Sequence, residues 1–211
     1  QGASWVTRRL LLVLMKAGQA VSGFALRQME YDADACETHV CGSEAFESTM
    51  LRVTELGVAS QVSQRQLAEA WKEGRLVTDL PALIVALAEA FDAATVQNIR
   101  DQSFSAKTGR FDSHPSNSDR VQAARRINAP GVFDADAPAN VLFLRYDDLS
   151  RVVTQKLYFA MMGEVSEHAR LQSVEQFMAT LDATTPFVPN FSSTVAGVLN
   201  SLAYVVVRSK N

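Results

Sequence analysis

A chain of 211 residues with 47% apolar residues can bury an ordinary core in one good-sized domain or two small ones, which excludes a disordered tail. Twenty Lys and Arg against 23 Asp and Glu leave a net charge of −3, so no basic field recruits nucleic acid through its phosphates. Two cysteines do not make a disulfide framework; Cys36 and Cys41, five apart in a predicted helix, point to different faces and read as packing residues.

The chain begins at Gln1, with neither an initiating Met nor the layout of a signal peptide, and reads as a piece of a longer protein. Trp5 to Val40 is predicted as one helix. Within it, residues 10–26, LLLVLMKAGQAVSGFAL, approach the ~20 apolar residues of a membrane span. Lys16, Gln19, Ser22 and two glycines interrupt the run, so the end of a membrane helix, an interfacial helix and a buried core helix all fit it.

Gly42 is placed as a stop, and Ser43 caps SEAFESTMLRVTELG, whose apolar face ends at Gly57. SQRQLAEAWKEG opens a further helix at Ser63, with Gln66 completing a capping box and Gly74 ending it. DLPALIVALAEAFDAATVQNIRDQ reads as one long helix, with Asp79 as cap and Pro81 tolerated in the first turn. SFSAKTGRFDSHPSNSD lacks periodicity and is a predicted loop.

RVQAARRINAPG is a short helix stopped by Pro130 and Gly131, and FDADAPAN a linker. VLFLRYDDLSRVVTQKLYFAMMGE and SEHARLQSVEQFMATLD read as two more helices, although VLFLRY alone would suit a strand. The last stretch carries no charge between Asp182 and Arg208 and reads as an apolar tail packed on another surface.

The chemistry concentrates in RQMEYDAD, residues 27–34. On a helix Arg27, Glu30 and Asp34 share a face while Asp32 points elsewhere. As a solvated Arg–Glu pair this is worth only ~0.2–0.5 kcal/mol. Against the neighbouring Phe24, Leu26 and Met29, a carboxylate needs a partner or a metal, and a second acid one turn on can orient the ligand.

R-x-x-E-Y-x-A-D at 27–34 resembles the third-ligand helix of the integral-membrane zinc metalloendopeptidases that include the CaaX prenyl proteases and HtpX-like heat-shock proteases. SHPSNSDRV, residues 113–121, resembles the [ST]-H-P-x-x-x-x-R-[IV] motif of the same family. The resemblance covers residues 1–130. It implies that Glu30 is a zinc ligand, that Asp34 and Arg27 support it, that His114 stabilises the oxyanion, and that Arg120 orders the acids. The family's HExxH helix, source of two histidine ligands and the general base, is absent: His39, His114 and His168 are followed by Val, Pro and Ala. His39 reads as an exposed or packing helix residue and His168 as a surface helix residue.

The expected fold is mostly α, a helical bundle forming the C-terminal half of a gluzincin-type protease domain (1–130), followed by a helical appendage (131–211). The expected function is that of a zinc metalloendopeptidase in an intact parent protein, with an HExxH half upstream and one Zn2+ per complete site. The fragment itself is expected to be inactive and free of stoichiometric zinc. The resemblance further implies a polypeptide substrate, membrane proteins included, and attachment to a membrane through upstream helices, while the net charge of −3 speaks against a nucleic-acid partner. The competing expectation is a non-catalytic helical interaction module or pseudopeptidase.

Overall fold

The computed structural model describes residues 2–133 and 137–181, with side chains from residue 4 and without those of 165–167. Those residues are mostly helical: α1 (Gly2–Cys41), α2 (Ser43–Trp71), α3 (Leu80–Glu89), α4 (Ala93–Ser105), α5 (Asn117–Ile127), α6 (Tyr146–Met162) and α7 (Val174–Thr180). Short 3-10 turns cover Ala139–Leu142 and Gly163–His168. The uncharged tail lies outside the described residues.

Two compact units emerge, one from residues up to Arg52 with those from Gln97 through Phe133, the other from Val53–Val96 with those from Ala137 on. This division cuts across the expected boundary at 130/131. The segment after 137 is no separate appendage, because its Tyr158 and Phe177 are buried in one apolar cluster with Leu76, Val77, Leu83 and Leu87.

In the first unit α1 and α5 pack together, and Val121 and Ala124 of α5 meet Phe46, with Cys41, Met50 and Phe104 around them. The joint between α1 and α2 is clamped by the chain that follows α5. Gly42 turns with a positive φ of 94°, where an added Cβ would lie 2.9 Å from the Pro130 carbonyl oxygen. Gly131, at φ 81°, would bring a Cβ within 2.8 Å of the Cys41 carbonyl carbon, so backbone passes backbone where only glycine fits. The buried Ser43 hydroxyl donates to Ala124 O (2.8 Å) and accepts from Ala129 N–H (3.0 Å).

In the second unit β1 (Arg75–Val77) pairs in parallel with β2 (Arg170–Gln172), with Arg75 opposite Arg170. Asp79 caps α3 as expected: one carboxylate oxygen accepts from Ala82 N–H (2.9 Å), the other from the Ser150 hydroxyl (2.6 Å). Thr154 donates to Ser150 O (2.8 Å) and accepts from Leu80 N–H (2.9 Å), so the α3 start is satisfied by α6. Burial pushes the Tyr158 hydroxyl strongly up, although it donates to Val77 O at 3.2 Å.

Several predicted boundaries change. Gly57 does not end its helix; α2 runs on through Ser63, whose hydroxyl donates to Ser60 O (2.7 Å) instead of capping a new start. The long helix expected over 79–102 is broken after Glu89, because Asp92 caps a fresh start by accepting from Thr95 N–H at 2.7 Å. Of VLFLRY, Val141 and Leu142 close a 3-10 turn, Phe143 and Leu144 follow it, Arg145 is left-handed and Tyr146 begins α6, and the strands lie elsewhere. SEHARLQSVEQFMATLD is one 3-10 turn, a strand and α7 rather than a single helix. Cys41 packs partly buried as expected, whereas Cys36 is exposed.

Candidate functional site

α1 is inverted relative to a helix of a water-soluble bundle. Gly23, Arg27, Glu30, Asp34, Thr38 and Cys41, all buried or half-buried, recur at intervals of three and four and form one largely polar stripe, with Tyr31 and Ala35 half-covered beside it. Its six consecutive apolar residues Leu10–Met15 are all exposed. In water each would forgo ~1.5–3 kcal/mol of burial. Ser4–Cys41 is long and apolar enough to cross a membrane, with an 18-residue window of mean hydropathy 1.3.

The polar stripe is what the loop before α5 and α5 itself lie upon. Asp34, 4% exposed, receives both arms of the Arg120 guanidinium, Nε at 2.7 Å and Nη2 at 2.5 Å. This two-pronged geometry suits a planar guanidinium and a carboxylate and fixes the rotation of both. Hydrogen bonding to Asp34 holds Arg120 above its ordinary range; burial opposes that, and the charges of Asp34, Glu30 and Glu37 add to it.

One turn toward the N-terminus, Glu30 Oε1 meets His114 Nδ1 in a close contact. His114 is exposed at the end of its loop, while the following Pro115 is buried and anchors it. Ser116 then caps α5, accepting from Asp119 N–H at 3.1 Å. The Thr108 hydroxyl donates to Asp119 and accepts from Ser116 N–H (2.8 Å), closing the loop base. The Thr108 hydroxyl is the main cause that depresses the Asp119 carboxyl below its usual range, against some burial.

Of the residues singled out from sequence, Glu30, Asp34, His114 and Arg120 therefore come together, across separations of 84 and 86 residues. Asp32 stands apart, accepting from Gln28 at 3.1 Å on the exposed side. His39 and His168 are exposed. Arg27 requires a correction: its guanidinium donates to the Asp112 carbonyl rather than bracing the acids.

Sequence reasoning missed how the loop docks. Gly23 sits under Asp112, whose carbonyl oxygen would lie 3.0 Å from an added Cβ, and Asp112 also holds Gly109 N–H at 2.6 Å. The signal was available in the spacing: Gly23 and Arg27 continue the Glu30–Asp34 face by steps of four and three. Where α1 and the loop adjoin, Ala20, Val21, Phe24, Arg27 and Arg110 line a shallow cavity of about 330 Å3.

A catalytic zinc takes three protein ligands and keeps one position open. Glu30 and His114 bring two donors together, and no group of three or more His, Cys, Asp or Glu side chains able to hold a metal ion occurs among the described residues. These residues alone do not fit a catalytic zinc. No family model, curated protein or solved structure matches the chain.

Proposed function

We infer that this chain is the C-terminal half of a zinc metalloendopeptidase that works at a membrane, with Glu30 contributing one ligand to a metal whose two histidine ligands come from an HExxH segment outside these residues. The observation that carries the reading is the joint placement of two short motifs on one helix face: Glu30 against His114, and Asp34 against Arg120. Metal-assisted hydrolysis lowers the pKa of a bound water to about 7 and polarises the scissile carbonyl.

The roles of the chain's own residues follow from their geometry. Asp34, locked by Arg120, fixes the α1 face on which Glu30 stands. His114 Nδ1 faces the Glu30 carboxylate, which leaves Nε2 directed away from it. In the imidazolium form Nδ1–H satisfies Glu30 while Nε2–H is free to donate to a developing oxyanion. Arg27 holds the His114 loop down at Asp112 and acts on the site only through that loop. The substrate is a polypeptide, and the long apolar α1 favours one presented at or in a membrane.

A non-catalytic helical module is the second reading, favoured by the two-donor site. The two separate on the intact parent polypeptide. Wild-type protein should contain about one zinc and cleave an unfolded protein substrate. Glu30→Gln should lose most of both, and His114→Ala should lose cleavage but keep zinc. Equal zinc content in wild type and Glu30→Gln, or an encoded parent without HExxH, would overturn the protease reading.

A further inference from the structure

Among the described residues, the second unit carries an apolar surface that its core does not use. α6 buries Ser150, Thr154 and Tyr158, one residue per turn, and leaves Val152 and Val153 exposed. Just ahead of it Val141, Leu142, Phe143 and Leu144 are all exposed, Leu144 to 93%. A helix stripe can be covered by one flat partner, but four consecutive exposed apolar side chains, two closing a 3-10 turn and two in the turn after it, point in several directions. A fluid hydrocarbon phase covers all of them, whereas a protein partner would have to wrap around the segment.

The charges suit a lipid surface as well. Arg151 and Lys156 lie within the same stretch, and such long side chains rest their stems on apolar surface while the cationic heads reach headgroup phosphates. Of the two acids there, Asp148 is engaged by Arg145 at 2.7 Å, and Asp147 stands in the first turn of α6. α1 of the same chain is long and apolar enough to cross a bilayer, so an inserted α1 would present this second surface to lipid at high effective concentration.

We propose that the surface formed by Val141–Leu144 and the outer face of α6 lies in the interface of a bilayer that carries anionic headgroups. This goes beyond the protease reading and does not depend on it. Only the chain's own attachment to a membrane is shared between the two.

The test uses the whole chain reconstituted into vesicles of brominated phosphatidylcholine, with and without phosphatidylserine. Leu144→Trp supplies a fluorescent probe on the surface, and Lys72→Trp a control at an exposed polar turn of the same unit. Emission is compared with the unsubstituted chain, whose own tryptophans are Trp5 and Trp71. The probe at 144 should lose most of its added emission to bromine while that at 72 keeps it. Phosphatidylserine should deepen the quenching several-fold, and Arg151→Glu with Lys156→Glu should cancel that gain.

A probe at 144 that stays unquenched with water-exposed emission overturns the proposal. So does a shielded but unquenched probe, whether its shielding depends on protein concentration, as for a second copy, or disappears when residues 183–211 are removed, as for cover by the tail. Quenching that is indifferent to phosphatidylserine overturns the anionic preference while leaving lipid contact.

Discussion

The two units of this chain are held together in opposite ways. The second buries Leu76, Val77, Leu83 and Phe177 and uses its polar groups to finish a helix start, the usual division of labour in water. The first has a small apolar centre around Phe46, Val121 and Ala124, and along α1 it buries charge and exposes leucine. A buried ion pair adds little net stability once both ions are desolvated. The contrast therefore separates residues kept for packing from residues kept for what they can bind.

The largest effects should come from breaking either style of interior. Phe177→Ala empties the second core and should cost ~3–5 kcal/mol in chemical denaturation. Arg120→Met alone leaves the buried Asp34 without its partner and should cost a similar ~3–5 kcal/mol. The decisive companion is Asp34→Leu with Arg120→Met: replacing both partners should leave stability unchanged or raise it by ~1–4 kcal/mol. If the double variant is as unstable as Arg120→Met, the pair is structural and the contrast between the units fails.

Smaller effects sharpen the clamp at the α1–α2 joint. Gly131→Ala forces a Cβ against the Cys41 backbone at positive φ and should cost ~1–3 kcal/mol. Ser43→Ala strands the Ala129 N–H, while the Ala124 carbonyl keeps the Asn128 N–H, and should cost ~1–3 kcal/mol in the same measurement.

The smallest effect is the most pH-dependent. Arg125 grips Glu47 at 2.7 and 2.5 Å, and that hydrogen bonding depresses the Glu47 carboxyl, against a little burial. A depressed folded pKa means the unfolded chain binds the proton first. The contribution is present above the ordinary value of 4.5 and is lost as pH falls through the lower folded one. With Arg125 largely exposed, the pair is worth only ~0.2–1 kcal/mol. Glu47→Gln should therefore lower stability slightly at neutral pH and flatten its decline in acid, an effect that fades in high salt.

The mostly helical class and the grouping of four side chains were legible in the sequence, the element boundaries less so. Glu30 with Asp34, and His114 with Arg120, are short-range spacings on a helix or around a helix start, and such spacings survive into three dimensions unchanged. Asp79 with Pro81, and the stops at Gly42 and Gly74, were legible for the same local reason. Gly57 and Ser63 misled because tertiary packing along α2 outweighs the ~1 kcal/mol a glycine costs a helix.

The break at Ala90–Asp92 hides in an unbroken apolar pattern and is decided by one carboxylate finding Thr95 N–H. Three-residue strands have too little periodicity to be read, and β1 meets β2 only through a separation of 95 residues. The division into units was illegible because each combines segments distant in sequence, which no composition shift marks.

Gly23 has a consequence in mechanics. It sets the clearance between α1 and the loop at Asp112, so it works as a shim of zero thickness beneath the span that carries His114. Gly23→Ala, then Ser, then Val would insert shims of rising thickness and lift His114 from Glu30 in steps without touching either residue. The distance between two side chains 84 residues apart is thereby adjustable from a third position that has no side chain at all.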